Sequence, residues 1–254
     1  MDYGLRDRVV LVTGAGGGTG DAIAVAFAAE GARVALNHRG SESSTARAEA
    51  TADRIRAAGG RAVAISADLR STGEIEAMIG AIERDLGPVT VLVTATSAYR
   101  NDRFEELTDE AWASVVDDML GAAYRTCRAV VPAMEAAGWG RIVNVAARSG
   151  LTGVARATHY AAAKAGIVGL TRSLAKELGP KGILVNAIAP TQILTLKDGI
   201  ASIPEERATE MAKAIPVRRL ANPADLAGLA VWLGSAANTY VSGEVVSLTG
   251  GAQS

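Results

Sequence analysis

A tyrosine and a lysine four residues apart, Tyr160 and Lys164, are the residues of this sequence best suited to chemistry. They stand at the start of a helical pattern, so they lie on one helix face, one turn apart. A neighbouring ammonium favours the phenolate, which predicts a Tyr160 pKa lowered from about 10 towards neutrality. Such a phenol can give or take a proton at an atom that gains or loses a hydride. Because the spacing alone is common by chance, the rest of the chain must support this interpretation.

A glycine-rich run at 13–20, Thr-Gly-Ala-Gly-Gly-Gly-Thr-Gly, is suited to binding a phosphate. It follows an apolar strand pattern and opens a helical one. Glycines permit a tight turn and close approach of a pyrophosphate, and the helix N-terminus supplies free N–H groups and a positive dipole end. We therefore predict a dinucleotide site that includes Gly14, Gly18, Thr19 and Gly20, the alternative being a flexible turn without a ligand.

The end of the second strand pattern carries Arg39 and no carboxylate. A carboxylate there would accept hydrogen bonds from the ribose of NAD, whereas a guanidinium can bind the 2′-phosphate of NADP. This predicts that NADP(H) is preferred over NAD(H), unless Arg39 is a solvated surface charge. Asp68 and Leu69 follow the third strand pattern and are predicted to meet the adenine. Asp68 could instead belong to a helix start.

Strand and helix patterns alternate along the 254 residues and must position these groups. The strand patterns are nearly continuous apolar runs, as expected for parallel strands covered on both faces. We predict an α/β fold with a single doubly wound parallel sheet (Rossmann-type), helices on both faces and one domain over 1–254. The irregular stretch 190–215 follows a strand and is predicted to be a substrate lid. Strands are predicted at 8–13, 33–37, 62–66, 89–95, 141–146, 184–189 and 244–248, and helices at 18–30, 44–58, 71–86, 109–137, 159–178 and 223–233.

Composition excludes several classes of function. A net charge of −1 gives no argument for a nucleic-acid or anionic-membrane partner. No apolar run is long enough to span a bilayer, and no signal peptide is expected. The single cysteine, Cys127, excludes an internal disulfide and fits a cytoplasmic protein. His38 and His159 lack metal-ligand spacing, so no metal site is predicted.

Together these motifs resemble the short-chain dehydrogenase/reductase family, in its 3-oxoacyl-acyl-carrier-protein-reductase-like branch. The resemblance covers essentially the whole chain. It rests on the glycine turn, on Asp68, on Tyr160-x-x-x-Lys164, on Pro190 after the sixth strand, and on the tail 219–223 through 250–251. It implies that Tyr160 donates or accepts the proton, and that Lys164 holds the nicotinamide ribose and lowers the Tyr160 pKa.

The same resemblance implies contacts around the nicotinamide and an assembly of subunits. Pro190 to Thr195 resembles the nicotinamide-contacting loop, with Ile193 near the carboxamide and Thr195 near a phosphate. A homotetramer or homodimer is implied, with the helical patterns 109–137 and 159–178 packing against a second subunit.

Four departures from the family pattern affect the predicted site. Ala147 stands where the family places a catalytic Ser, and Met119 stands where it places a helix Asn. Thr-Ala-Thr-Ser at 94–97 replaces Asn-Asn-Ala-Gly, and Pro190-Thr191 replaces Pro-Gly. Loss of one hydrogen-bond donor to the reacting oxygen typically costs about 100- to 1000-fold in rate. Met119 cannot hydrogen-bond the water of a proton relay.

Three accounts of these departures remain open. In the first account, a neighbouring group replaces the Ser. In the second, the substrate does not need the Ser, as in family members that resemble this chain, such as dihydropteridine reductase. In the third, the site does no hydride chemistry.

We predict an NADPH-dependent reductase of a C=O, C=N or conjugated C=C bond in a small molecule. The alternatives are an isomerase, cyclase or lyase that keeps Tyr160 as acid/base, and a non-catalytic cofactor-binding partner. Candidate replacements for the Ser are Ser149, Thr96, Ser97, Tyr99 and Thr191; candidate substrate contacts are Ser97, Tyr99, Arg148, Ser149 and Thr191.

A set of basic and polar side chains is predicted at the pocket rim. Its arginines could bind a carboxylate or phosphate of the substrate. Scattered surface charge on a balanced chain is an equally good interpretation. The set comprises Tyr99, Arg100, Asn101, Arg103, Arg148, Arg156 and Lys197.

Overall fold

The computed structural model describes residues 2–197 and 200–252. Seven parallel strands form one sheet in the order β3-β2-β1-β4-β5-β6-β9. This confirms the predicted α/β fold with a doubly wound, Rossmann-type parallel sheet. The strands are β1 (Val9–Thr13), β2 (Arg33–His38), β3 (Arg61–Ser66), β4 (Val89–Thr94), β5 (Gly140–Val145), β6 (Ile183–Pro190) and β9 (Val245–Leu248).

Helices cover both faces of the sheet. Val10 and Val12 of β1 lie in a buried cluster with α1 and α9, whereas Val9 and Leu11 lie in a second cluster with α3 and α5. Alternate residues of one apolar strand therefore serve two cores, which explains its continuous hydrophobicity. The helices are α1 (Thr19–Ala29), α2 (Glu42–Ala57), α3 (Thr72–Asp85), α4 (Asp109–Val116), α5 (Ala122–Ala136), α6 (Ser149–Thr152), α7 (Thr158–Leu178), α8 (Glu205–Lys213) and α9 (Pro223–Leu233).

The strand order reverses around β1, which pairs with β2 on one side and β4 on the other. Thr13 and Thr94, the last residues of β1 and β4, are register partners. The chain therefore leaves these two strands at the same carboxyl edge and in opposite directions. In open α/β sheets, a crevice forms at such a switch point and binds the ligand.

The predicted helix at 109–137 is not continuous. A π-helical turn, Asp117–Gly121, separates α4 from α5. Such wider turns inside helices occur frequently at functional sites. This turn contains Met119, which is fully buried, and Asp118, which lines the crevice.

The prediction that 190–215 is irregular is wrong in part. Two short strands, β7 (Leu196–Lys197) and β8 (Ile200–Ala201), form an antiparallel pair, and α8 follows. Glu205 and Glu206 lie in the first turn of α8 and Lys213 in its last, so these charges complement the helix dipole. Residues 198 and 199 of this stretch lie outside the described residues.

Within 2–197 and 200–252, no helix is long and apolar enough to cross a membrane. Over the same ranges, no group of three or more histidine, cysteine, aspartate or glutamate side chains is placed to hold a metal ion.

Candidate active site

A crevice of about 420 Å³ opens at the carboxyl edge of the sheet, at the switch point. Its walls come from the glycine turn after β1, the segments that follow β2, β3 and β4, and the π-helical turn. The lining includes six of the residues predicted to bind the cofactor: Gly14, Thr19, Gly20, Arg39, Asp68 and Leu69. The other predicted contacts do not line it: Gly18, Tyr160, Lys164, Pro190, Ile193 and Thr195.

The glycine turn is shaped by close backbone approaches. Gly14 has a φ of +68°, and a Cβ there would lie 2.9 Å from the Ala95 carbonyl oxygen. A Cβ at Gly20 would lie 2.5 Å from the Gly14 carbonyl oxygen. No side chain caps α1 at Gly18, so side-chain capping does not occupy the N–H groups of its first turn. This uncapped turn fits the pyrophosphate of a dinucleotide.

Charged side chains surround the end of the crevice near β2 and β3. The Arg39 guanidinium forms an ion pair of 3.1 Å with Asp118, whose side chain is only 10% exposed while that of Arg39 is 57% exposed. The Arg70 guanidinium donates hydrogen bonds to the Asp68 carboxylate, from Nη2 at 2.5 Å and from Nε at 3.0 Å. The hydrogen bond from Arg70 is the main cause that lowers the Asp68 pKa to about 2. Sequence reasoning missed Arg70 and Asp118, although Arg70 stands only two residues after Asp68.

Lys164 lies beside the crevice, with its side chain buried. Its Nζ donates to the Val145 carbonyl at 2.7 Å and to the Thr96 carbonyl at 3.2 Å. Burial lowers the pKa of the ammonium to about 8. Lys164 therefore joins the ends of β4 and β5 beneath the Tyr160 ring, whose centre lies 5.9 Å from Nζ.

The Tyr160 phenol has a raised pKa, so the prediction that its pKa is lowered towards neutrality is wrong. Burial is the largest cause of the rise, and the charge of Tyr99 adds to it. The Ser97 hydroxyl acts in the opposite direction, because its hydrogen bond to the phenol stabilises the phenolate. The Tyr99 ring packs edge-on against the Tyr160 ring, with the ring centres 5.2 Å apart. The two carbonyls that bind the Lys164 ammonium orient it away from a direct bond with the phenol.

The two positions at which the family resemblance predicts a missing polar group, Met119 and Ala147, are buried. Met119 is fully buried among apolar side chains of α4, α5 and α7, and Ala147 is 7% exposed just beyond β5. Nearby buried polar groups are satisfied by one another: Thr94 Oγ1 donates to Asn144 Oδ1 at 2.8 Å, and Asn144 Nδ2 donates to Thr171 Oγ1 at 3.0 Å. Thr94 therefore binds Asn144 of β5, and Asn144 in turn binds Thr171 of α7.

The loop after β6 approaches the glycine turn. A Cβ at Gly18 would lie 3.5 Å from Thr195 Cγ2, so Thr195 faces the glycine turn. Ile193 forms a β-bridge with Ala221 and packs partly against the core. Thr191 N donates to the Leu248 carbonyl at 3.1 Å.

The segment after β5 contacts the same loop and begins a short helix. Arg148 N donates to the Pro190 carbonyl at 2.9 Å, and Ser149 begins α6. These backbone contacts align the ends of β5 and β6 beside the crevice.

The arginines of the predicted rim make local pairs. Arg100 lies 3.2 Å from Asp102, and Arg156 Nε donates to Asn101 at 3.0 Å. Arg103 pairs with Glu105. These pairs favour the interpretation of surface charge over a substrate-anion site. The side chain of Lys197 lies outside the described residues.

One contact of the rim was missed at the sequence level. The fully buried His159 lies 3.2 Å from Asp102, so the residue before Tyr160 holds the segment that carries Tyr99. A lone histidine in the sequence gave no signal for this contact.

Comparisons with known proteins agree with this geometry. Residues 8–200 match the family described as short chain dehydrogenase. Over 247 residues the chain is 36% identical to the 3-oxoacyl-(acyl-carrier-protein) reductase FabG of Pseudomonas aeruginosa. Over 247 residues it is 35% identical to nodulation protein G of Azospirillum brasilense. Both alignments cover 97% of this chain and 98% of the relative. The crystal structure of a dehydrogenase/reductase from Sinorhizobium meliloti 1021 superposes with a TM-score of 0.90 at 32% identity, covering 100% of this chain and 98% of that one.

Proposed function

The chain belongs to the short-chain dehydrogenase family, and from that premise we propose that it is an NADPH-dependent reductase of a C=O, C=N or conjugated C=C bond in a small molecule. One observation carries the proposal. Thr96 lines the crevice that the glycine turn forms, and its carbonyl accepts a hydrogen bond from Lys164 Nζ at 3.2 Å. The Tyr160–Lys164 pair therefore lies directly beside the crevice that would hold a dinucleotide.

The cofactor would be held mainly by backbone groups. The pyrophosphate fits the glycine turn, through Gly14, Gly18, Thr19 and Gly20, because a side chain at Gly14 or Gly20 would collide with backbone and α1 has no side-chain cap. Asp68 and Leu69 would meet the adenine. Pro190, Ile193 and Thr195 would border the nicotinamide, and Lys164 would hold its ribose.

A bound nicotinamide would supply the hydride, and Tyr160 would supply the proton. The Tyr160 O–H would donate to the acceptor oxygen or nitrogen, or to the carbon of a conjugated system, at which negative charge builds up. A raised Tyr160 pKa keeps the phenol protonated at neutral pH, which suits a proton donor. The Lys164 ammonium contributes positive charge beneath the ring.

Arg39 supports the preference for NADPH over NADH. Its side chain is more than half exposed beside the crevice, and a 2′-phosphate can replace the Asp118 carboxylate as its partner. The Asp118 carboxylate opposes this preference, because it must be displaced. Asp68 is neutralised by Arg70, so it opposes the phosphate less.

Candidate substrates for a first test come from the relatives. The Pseudomonas aeruginosa reductase is named for a 3-oxoacyl group on an acyl-carrier protein, and such a group presents a ketone to a proton donor. The candidate substrate contacts in this chain are Ser97, Tyr99, Arg148, Ser149 and Thr191. Of these, Tyr99 lies directly against Tyr160.

We also propose a single dinucleotide-binding domain over 1–254 with 190–215 as the substrate lid. Ile203, Ile215 and Leu220 form a small apolar cluster of their own, separate from the cores of the sheet. A segment held by such a cluster can move as a unit above the crevice.

A homotetramer or homodimer is proposed as the assembly. Trp112 on α4 and Tyr124 on α5 are 40% and 48% exposed, which supports burial of this surface against a second copy.

A cytoplasmic location is proposed from the single, buried Cys127, since a thiol without a partner suits a reducing compartment.

The test is oxidation of NADPH by the purified protein in the presence of ketone, imine and enone acceptors, with a 3-oxoacyl thioester among them. We expect turnover with at least one class and a loss of about 1000-fold in Tyr160→Phe. Conversion of a substrate without NADPH consumption, still abolished in Tyr160→Phe, would establish the alternative of an isomerase, cyclase or lyase. The apolar packing of Ala147 and Met119 favours that alternative, because both polar groups of the family site are absent.

A further inference from the structure

We propose that His159 is a positioning residue that acts on the substrate side of Tyr160. Together with Asp102 it holds Tyr99 against the ring of the proton donor, so that a substrate meets a wall that is already in place. The inference rests on the proposed function, because it assigns a role beside the proton donor of that reaction. It is carried by four contacts between the segment 99–102 after β4 and the segment 156–160 at the start of α7.

Two hydrogen bonds join these segments. The Asp102 N–H donates to the Arg156 carbonyl at 2.8 Å, and Arg156 Nε donates to Asn101 Oδ1 at 3.0 Å. Arg156 has a φ of +63°, a left-handed conformation that is uncommon for residues other than glycine. Such a conformation persists only where the surrounding contacts over-determine it. The two segments therefore meet in a defined joint.

Next to this joint, side chains of the two segments meet twice. His159 Nε2 lies 3.2 Å from Asp102 Oδ2. The Tyr99 ring packs edge-on against the Tyr160 ring, with the ring centres 5.2 Å apart. His159 and Tyr160 are consecutive, and Tyr99 stands three residues before Asp102, so each contact constrains the other. Loss of the His159 contact therefore removes one of the anchors that keep Tyr99 in place.

The burial of the His159 ring is unfavourable for stability. The side chain is fully buried, and neither ring nitrogen makes a well-directed hydrogen bond among the described residues. Polar nitrogens buried without full hydrogen bonding destabilise a folded protein. Packing alone therefore does not explain a histidine here, whereas its approach to the Asp102 carboxylate does. A protonated ring and the neutral tautomer with a hydrogen on Nε2 can both make that contact.

Asp102 has a second partner, which is exposed. Arg100 Nε lies 3.2 Å from the same Oδ2, and the Arg100 and Asp102 side chains are 52% and 27% exposed. Water and salt screen an exposed ion pair, so it contributes little to holding a segment in place. The buried contact with His159 is therefore the stronger anchor, and removal of His159 still leaves Arg100 as a partner for the carboxylate.

The anchor matters because of the place that Tyr99 occupies. Its ring packs against Tyr160 and is 57% exposed, so the rest of its surface is available to a substrate. An aromatic ring offers a rigid, mostly apolar face, and an acceptor held against this one has its reacting bond close to the phenol. A Tyr99 ring that is not anchored would hold the substrate less well, whereas the Tyr160 proton would still be present. We therefore expect the anchor to act mainly on KM.

The first experiment needs neither cofactor nor substrate. Amide hydrogen exchange, followed by NMR, reports on the Asp102 N–H, which is the hydrogen-bonded amide of the joint. We expect it to exchange about tenfold faster in His159→Leu, the scale of one lost hydrogen bond to a charged group. In His159→Gln, which keeps an N–H donor, the rate should be nearly unchanged. Thr158→Ala, at an exposed position one residue earlier, is the control.

An unchanged Asp102 amide in His159→Leu would overturn the proposal. Equal acceleration of the Asp102 amide and of the amides of β5 would also overturn it, because the whole domain would then have lost stability. If His159→Leu does not fold, Asp102→Ala decides the question from the partly exposed side of the contact. Its amide at position 102, corrected for the intrinsic exchange rate, should exchange faster by a similar factor, and an unchanged rate would contradict the proposal.

The second experiment measures KM and kcat with the ketone, imine or enone that the unmodified protein reduces fastest. His159→Leu and Asp102→Ala should each raise KM about tenfold and change kcat less than about threefold. Tyr99→Ala should raise KM at least as much. Because these residues act on one wall, adding His159→Leu to Tyr99→Ala should have little further effect.

Full additivity of His159→Leu and Tyr99→Ala would contradict the proposal, and so would a loss of kcat with KM unchanged. If the unmodified protein reduces no acceptor, the proposed function fails. The amide exchange at Asp102 then still decides whether His159 holds the segment that carries Tyr99.

Discussion

The crevice and the Tyr160–Lys164 region beside it are built in different ways. The crevice depends on backbone geometry, with Gly14 and Gly20 in places where a Cβ would meet backbone atoms at 2.9 and 2.5 Å. The region beside it, after β4, β5 and β6, depends on individual side chains. It contains Tyr160 and Lys164, and the family resemblance predicts that Ala147 and Met119 stand there in place of two polar residues.

This difference shows which part of such a site can change without loss of the fold. A glycine in the turn cannot be replaced without moving the backbone beside it. A polar side chain in the region beside it can be exchanged for an apolar one, provided that its neighbours fill the space. Met119 fits this pattern, since it is fully buried in an apolar cluster. We therefore expect the chemistry of such a site to change more readily than its cofactor binding.

The largest expected effect comes from Lys164→Met, which removes the ammonium and keeps the length of the side chain. We expect kcat/KM to fall about 100- to 1000-fold. In the unmodified protein the ammonium is charged below its lowered pKa of about 8 and neutral above it. Activity should therefore fall as pH rises through about 8, and Lys164→Met should lack that step. A profile of the unmodified protein that is flat across this range would argue against a role for the charge.

Gly20→Ala tests the crevice, which depends on backbone geometry. The added Cβ displaces the turn, so we expect NADPH affinity to fall about 10- to 100-fold, the loss of one hydrogen bond to a charged group. Gly80→Ala on α3 is the matched control, since nothing lies within 4 Å of a Cβ there. Both are measured by calorimetric titration with NADPH. Equal affinities in the two variants would show that the turn does not hold the phosphates.

Met119→Asn places the family's amide back in the π-helical turn. Because the position is now surrounded by apolar side chains, we expect the free energy of unfolding to fall by about 1–3 kcal/mol. Met119→Leu, which conserves volume and polarity, should cost less than about 1.5 kcal/mol. Urea denaturation compares the two. An Asn variant as stable as the Leu variant would mean that the site still accommodates a polar relay there.

Asp118→Asn is expected to have the smallest effect. It removes the carboxylate that pairs with Arg39 at 3.1 Å and leaves the guanidinium for a 2′-phosphate. NADPH should bind roughly 3- to 10-fold more tightly, the scale of one partly exposed ion pair, while NADH affinity stays nearly constant. An equal gain for both cofactors would show that Asp118 acts on the shared part of the dinucleotide.

The sequence predicts the sheet well and the site only in part. Apolar runs such as β4 and the glycine turn are local patterns, so periodicity and residue type reveal them. The hydrogen bond of Lys164 Nζ to the Thr96 carbonyl joins residues 68 positions apart, and no local pattern encodes it. The direction of the Tyr160 pKa was also wrong, because burial of the ring depends on packing that the spacing of Tyr160 and Lys164 does not show.

The central claim is that the crevice retains an NADPH site while the Tyr160–Lys164 region beside it has changed. Titration of the purified protein with NADPH and with NADH, followed by nicotinamide fluorescence, tests it most directly, with Arg39→Ala as the matched variant. The account predicts tight binding of NADPH, weaker binding of NADH, and loss of the difference in Arg39→Ala. Binding of neither cofactor would contradict the account, and equal binding of both would contradict the role of Arg39.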